Sequence, residues 1–152
     1  MKNGVRYTSL RPNELAMLLD RAGKEGRDKA FKEMRERTYK IKERSVAQAP
    51  VDTGELEAAH RVRIHRNQTN KAHYRIEVTG VINGVDVDDY AYIIEEGIGW
   101  YHLGQKSKEK QDANPSVLVG AGFLRRAVEG EEAALIKAVY DAAYKGAKQY
   151  VG

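Results

Sequence analysis

The residues with most capacity for chemistry are the carboxylates of one short stretch, Asp86, Asp88 and Asp89, with Glu95 and Glu96 close behind. Acids at alternate positions, as in Asp86-Val87-Asp88, open calcium-binding loops, where oxygen ligands recur along the chain around the ion. The glycine and the distal glutamate that close such a loop are missing, so the run predicts a solvated strand edge. Asp86, Asp88 and Glu95 taken together are the only candidate set for a metal-dependent hydrolase. Glu95 and Glu96 have the right type for a general acid and base, but adjacent residues on a strand point to opposite faces. The histidines His60, His65, His73 and His102 show no three- or four-residue spacing of a helical metal site, and they are expected at the surface. Gly97-Ile98-Gly99 lacks the third glycine of a dinucleotide fingerprint. With no cysteine in the chain, disulfides, thiolate metal sites and thiol nucleophiles are excluded. The expectation is a protein that is not an enzyme, with no catalytic residue, no metal and no cofactor.

A second chemistry is phosphate binding. Arg61, Arg63, Arg66, Lys71 and Arg75 cluster if the two segments that carry them pair as strands, with Tyr74 among them. Basic side chains interleaved with an aromatic hold a nucleic-acid backbone. Arg61, Arg63 and Arg75 are the candidate contacts. The same alternation also describes the wet side of any two-stranded ribbon. A small nucleic-acid-binding accessory protein is therefore the alternative function.

The elements that position these groups follow from periodicity. Asn13 before Glu14, with Leu15, Leu18, Leu19 and Ala22 at helical spacing, predicts a short capped helix stopped by Gly23 and Gly26. From Arg27 to Ala49, a thin apolar stripe of Phe31, Met34, Thr38, Ile41, Ser45 and Gln48 or Ala49 marks a longer helix. Its other faces carry the acid-before-base pairs Asp28/Lys32, Glu33/Arg37 and Glu36/Lys40. The period then becomes two: Val62 and Ile64, then Tyr74, Ile76 and Val78, alternate with polar residues as antiparallel strands, joined by the turn Asn67-Gln68-Thr69-Asn70. Asn83-Gly84 marks a tight hairpin into a third strand from Val85 to Glu95, with Tyr90, Tyr92 and Ile94 on one face. Residues 97–115 read as a long polar loop, mobile in the free subunit, and Val117-Leu118-Val119 as a short strand. Leu124, Ala127, Val128, Leu135, Ala138, Val139 and Ala142 line a final helix, kinked at Gly130.

The prediction is an α+β fold, a small antiparallel sheet of three or four strands on a long N-terminal helix and a C-terminal helix. The 152 residues suit one domain, 1–152, with a helical extension over 1–26 and the flexible loop over 97–115. The 26 Lys and Arg against 22 Asp and Glu give a net charge of +4, too mild and too interleaved for a dedicated polyanion binder. Neither a signal-peptide core nor an apolar run of membrane length is present, so a soluble protein with no membrane partner is expected.

Between the long helix and the strands lies Ala49-Pro50-Val51-Asp52-Thr53-Gly54-Glu55-Leu56. Pro50 lacks an amide proton and disfavours helix in the residue before it, so the helix should end near Gln48 or Ala49. Asp52 and Glu55 have capping-box spacing, which predicts a second helix from Thr53 with Asp52 as its cap. Gly54 should let the turn approach another backbone.

Three segments in this order, Ala49 to Leu56, Tyr90-Ala91-Tyr92-Ile93-Ile94-Glu95-Glu96-Gly97 and Phe123-Leu124-Arg125-Arg126-Ala127, resemble the head–tail joining, or tail-completion, proteins of long-tailed bacteriophages. That family has a proline–hydrophobe–Asp-Thr-Gly corner, a Tyr-Ala strand ending in Glu-x-Gly, and a Phe-Leu-Arg helix start. The resemblance spans roughly Phe31 to the C-terminus, and the family's proline before the Phe is replaced here by Gly120 and Gly122. It implies a structural virion subunit that forms a hexameric or dodecameric ring at the neck. The ring would join the capsid connector or stopper to the tail tube or tail terminator and let DNA pass. Its expected location is the virion, and the host cytoplasm during assembly. The positions that carry the motif are Pro50, Asp52, Thr53, Gly54, Leu56, Tyr90, Ala91, Glu95, Gly97, Phe123, Leu124 and Arg125. The charged helix, the C-terminal helix and the 97–115 segment supply the surfaces that ring closure needs.

Overall fold

The computed structural model of the chain describes residues 5–8, 12–66, 72–97 and 104–148. The fold is α+β. Helix α1 (Pro12–Gln48) and helix α5 (Phe123–Lys148) run against each other and form the body of the molecule. A three-stranded antiparallel sheet packs on α1 in the order β1-β3-β2, with β1 at Val5–Thr8, β2 at His60–Arg66 and β3 at Ala72–Val78. A two-stranded hairpin, β4 (Val81–Ile82) and β5 (Val85–Asp86), and the short helices α2 (Glu55–Ala58), α3 (Asp88–Glu96) and α4 (Gln105–Ala113) complete it.

α1 starts at Pro12, whose fixed φ and missing N–H suit a first helical position, so Asn13 lies inside the helix and is not its cap. Gly23, at φ 71°, breaks the regular path and divides α1 into two helical stretches, while Gly26 is buried and helical and stops nothing. Beyond it the expected stripe is the buried one: Phe31, Met34, Thr38, Ile41, Ser45, Gln48 and Ala49 are all inside. Thr38 satisfies its buried hydroxyl by donating to the Met34 carbonyl at 2.6 Å. Asp28 pairs across to Arg66 of the sheet at 2.5 Å, and the Arg66 guanidinium lies 4.2 Å from the centre of the Phe31 ring. The facing stripe on α5 is Phe123, Leu124, Ala127, Val128, Leu135, Val139 and Ala143, with Ala138 and Ala142 half-buried beside it. α5 runs straight through Gly130; a Cβ there would lie 2.6 Å from Arg44, which crosses at this point to reach Glu131 at 3.1 Å.

The sheet follows the period-two pattern. Tyr74, Ile76 and Val78 of β3 face inward with half-buried Val62, and β2 pairs with β3 in the register Val62↔Ile76 and Ile64↔Tyr74. β1 pairs along the other side of β3, so the N-terminal extension contributes a strand as well as the helix that was expected. Asn83 at φ 50° and Gly84 at φ 79° form the tight hairpin that Asn-Gly predicts.

Several other expectations fail. The third strand is a helix: α3 buries Ala91, Ile94 and Glu95 at helical spacing and exposes Tyr92 and Ile93. Residues 97–115 hold helix α4 in place of a continuous loop, and Val117-Leu118-Val119 forms no strand. α2 starts at Glu55, two residues later than predicted, and Asp52 is exposed and makes no cap bond. Thr53 instead donates its hydroxyl to the Glu55 carboxylate. Gly54 has open space around the place a Cβ would occupy, so it serves φ +91° and not a close approach. The Asn67–Asn70 turn, Lys71, Trp100 and His102 lie outside the described residues.

The corner therefore depends on Gly54 and not on Asp52. Gly54→Ala should lower stability by about 1–2 kcal/mol, the cost of a left-handed backbone in an L-residue, whereas Asp52→Ala should change it by less than about 0.5 kcal/mol. Urea unfolding midpoints of the two variants test this, and the reverse ranking would restore the capping box.

Candidate functional site

The three segments that carry the family resemblance meet in space, where the C-terminal end of α1 lies beside the N-terminal end of α5. A helix end leaves orphan carbonyls or amides that need partners when buried. At the start of α5 the partner is Glu95. Its carboxylate, at the end of α3 and almost wholly buried, accepts from the backbone N–H of Leu124 at 3.0 Å and of Arg125 at 2.8 Å. The Glu95 carbonyl accepts from Gly122 N–H at 2.9 Å, and the Gly122 carbonyl takes the Arg126 N–H at 2.8 Å. A carboxylate at a helix N-terminus also complements the positive end of the helix dipole. Gly97 then ends α3 in left-handed geometry, φ 65°, with a Cβ position only 3.4 Å from Ala121. Glu-x-Gly is thus one device, in which the acid caps the next helix and the glycine terminates its own. It also fixes the start of α5, for which the sequence offers Gly120 and Gly122 in place of a proline.

The end of α1 is held from two sides. Gly120 N–H donates to the Gln48 carbonyl at 3.0 Å, and Arg126 Nε donates to Gln48 Oε1 at 3.0 Å. The Arg126 guanidinium also reaches the carbonyls of Leu118 at 2.8 Å and Ala121. Burial pulls the Arg126 pKa down and the nearby Glu95 opposes that shift. From α4, Lys110 Nζ donates to the carbonyls of Val46 and Ala49, each at 2.7 Å, and pairs with Glu57 at 2.8 Å. Ser107 both donates to the Val51 carbonyl and accepts from the Val51 N–H, each at 2.9 Å. A cation at a helix C-terminus is the electrostatic counterpart of Glu95. Pro50, Val51, Tyr90, Ile94 and Ser107 line a cleft of about 260 Å³ beside this joint.

His60 sits behind it. Contrary to the surface position expected for it, it is 4 % exposed, its ring centroid 5.7 Å from that of Phe123. Nδ1 lies 2.9 Å from the Leu56 carbonyl, which places the proton there, so Nε2 accepts from the Ser45 hydroxyl at 2.8 Å. Ser45 is completely buried, so this serine–histidine pair joins α1 to the corner and presents no nucleophile to solvent. Burial, with a smaller contribution from Lys42, lowers the His60 pKa from 6.5 to about 4, against the raising effect of the Leu56 and Glu57 carbonyls and the Glu57 charge.

The carboxylates do not assemble a metal site. Asp88 Oδ1 accepts from Gly80 N–H at 2.8 Å and from the Thr79 hydroxyl at 2.5 Å, Asp86 Oδ1 accepts from Asp88 N–H at 3.2 Å, and Glu95 is committed to α5. Among the described residues no three acidic or histidine side chains come together as a metal cluster. Asp86 does end a strand, β5, but Val87 is fully buried and Asp88 and Asp89 open a helix rather than continue a solvated strand edge.

Of the motif positions, Leu56, Ala91, Glu95, Phe123 and Leu124 are buried in the joint, Pro50 and Tyr90 line its cleft, and Gly97 packs beside it. Thr53 and Gly54 shape the turn, and Arg125 contributes its backbone amide while its side chain is exposed. Sequence reasoning missed Arg126, Lys110, Ser107 and the Ser45–His60 pair. Arg126 has its signal next to Phe-Leu-Arg, but Lys110 is hidden in the run Lys106-Ser107-Lys108-Glu109-Lys110. Arg61, Arg63 and Arg75 do share one sheet face, whereas Tyr74 points to the other, its hydroxyl donating to the Phe31 carbonyl at 3.0 Å. Arg66 turns to Asp28. No protein-family model, curated protein or solved structure matches the chain. Among the described residues no helix is long and apolar enough to cross a membrane.

The folded state disfavours protonated His60, so its contribution is complete above pH 6.5 and is lost as pH falls from there through about 4. The loss reaches about 3 kcal/mol at 1.36 kcal/mol per pH unit. Urea titrations of the wild-type protein and His60→Gln across that window should show a steeper decline for the wild type; parallel curves would contradict it. Lys110→Met should lower hydrogen-exchange protection across residues 105–113 by about 10- to 100-fold, matching about 1.5–3 kcal/mol of charged hydrogen bonding. Unchanged protection would mean that other contacts hold α4.

Proposed function

We propose that the chain is a structural virion subunit of a tailed bacteriophage. In this reading it is a ring-forming neck or tail-completion component that joins the capsid connector to the tail, allows DNA passage and carries out no catalysis. The single observation that carries the reading is the convergence of the three motif segments. The corner after α1, the Glu-x-Gly end of α3 and the Phe-Leu-Arg start of α5 form one joint, linked by Glu95, Gln48 and Arg126. The bonds of that joint connect residues as far apart in sequence as Gln48 and Arg126, which supports reading the three segments as one motif set. Asp86, Asp88, Glu95 and His60, which offered chemistry, are occupied by structural bonds.

Ring formation needs surface outside the joint, and such surface is present. Tyr92 and Ile93 on α3 are 52 % and 44 % exposed, and Val81 on the hairpin is 64 % exposed. A groove of about 450 Å³ between α1 and α5 is lined by both charge signs, with Lys29, Lys32 and Arg37 against Glu33, Glu36 and Asp141. Complementary charge of this kind suits the register of a protein contact better than a small ligand, whose pockets are mainly apolar.

The purified chain, mixed with tailless capsids and separately with free tails and imaged by electron microscopy, should decorate the end of one of them. Tyr92→Asp should abolish the decoration while leaving the subunit folded. Absence of association with either particle, where a known neck protein binds, would overturn the proposal.

A further inference from the structure

The sheet carries a second, independent feature on its solvent face. In the register of β2 and β3, Arg61 stands opposite Glu77, Arg63 opposite Arg75 and His65 opposite His73. Like charges directly opposite on an antiparallel pair are destabilising, so Arg63↔Arg75 needs a reason and a compensation. The compensation is Glu77. Its carboxylate is only 9 % exposed and accepts from Arg63 Nε at 3.3 Å through one oxygen and lies 3.5 Å from a terminal nitrogen of Arg75 through the other. The two arginine side chains remain 62 % and 42 % exposed. One buried acid therefore holds two guanidiniums side by side at the surface, and Arg63 commits Nε to it and not its terminal nitrogens. β1 continues the sheet on the far side of β3, with Arg6 in register with Glu77.

This is an arrangement for an extended anion. Alternate residues of a strand are about 6.6–6.8 Å apart and neighbouring strands about 4.8 Å apart. Arg61, Arg63 and Arg75 are thus set at intervals comparable to the successive phosphates of a nucleic-acid backbone. Guanidinium forks pair with phosphate oxygens in planar, two-pronged geometry. Tyr74 is buried on the other face, so the only rings of β2 and β3 on this one are the small imidazoles of His65 and His73, and the contact is mainly with the backbone. We propose that the solvent face of the sheet binds the phosphate backbone of a nucleic acid through Arg61, Arg63 and Arg75, without reading its sequence. The inference stands on the sheet alone and is separable from the neck assignment.

Fluorescence anisotropy with a short labelled DNA duplex tests it. Binding should weaken between about 50 and 200 mM salt with a log–log slope near −2 to −3, since each neutralised phosphate contributes about 0.9. Arg63→Glu with Arg75→Glu should weaken binding at least tenfold, and Arg63→Gln with Arg75→Gln, the milder pair if charge reversal unfolds the sheet, should remove about two units of slope. Lys137→Glu, on the exposed side of α5, should leave affinity unchanged. Absence of binding at the lowest salt would overturn the proposal, as would equal loss in Lys137→Glu, which would mean diffuse attraction. Competition by polyglutamate as effective as that of unlabelled duplex would also overturn it, in favour of an acidic protein partner.

Discussion

The structure depends on satisfying two helix ends that are buried side by side. α1 finishes and α5 begins in the same part of the interior, so one contributes unpaired carbonyls and the other unpaired amides where water is scarce. Among the described residues these ends are bonded to other groups and not to each other. Side chains and loop amides from elsewhere take their place: Glu95 for the amides, Lys110 and the Gly120 amide for the carbonyls, with Arg126 holding the Gln48 side chain. An acid at the positive end of one helix and a lysine at the negative end of the other also follow the helix dipoles. Leaving even one of these groups unpaired costs about 1–3 kcal/mol, a large share of the stability of an ordinary domain.

Much else follows from that arrangement. α3 must end where Glu95 can reach α5, so Gly97 turns the chain at once in left-handed geometry. α4 has the sequence Gln105 to Ala113, in which Ala113 is the only apolar residue, and it is attached through Lys110 and the buried Ser107 rather than through an apolar face. The Ser45–His60 bond ties the middle of the same corner, and the neutral imidazole suits a site with the carbonyls of Leu56 and Glu57 on one side and Phe123 on the other.

The two long helices, strands β2 and β3 and the Asn-Gly hairpin were legible because each expresses its own period or turn chemistry locally, whereas β1 was not foreseen. Phe31 to Ala49 and Tyr74 to Val78 needed no partner to be read. α3 was misread for a physical reason. Its buried face is Ala91, Ile94 and Glu95, and a glutamate is not counted as apolar, so the helical period lost a member while Tyr90, Tyr92 and Ile93 supplied strand-forming side chains. Asp88 and Asp89 at its start were the overlooked helix signal. The corner was misread because Asp52 and Glu55 have the spacing of a capping box, while the backbone at Gly54 took the turn another way. Lys110 and His60 were not legible, since what distinguishes them is a partner more than ten residues away or burial that no local pattern records.

The inward commitment of the motif residues bears on how any assembly must work. Glu95, Phe123, Leu124, Ala91 and Leu56 are buried within the subunit and can touch no neighbour. What they determine is the angle at which α3, α5 and the corner leave the joint, and so the direction in which the exposed side chains of those elements face. Tyr92 and Ile93 follow Ala91 on the outer side of α3, and their placement is set by the same Glu95 contact that starts α5. The joint therefore fixes shape, while exposed Tyr92 and Ile93 add little to its stability and are oriented by it.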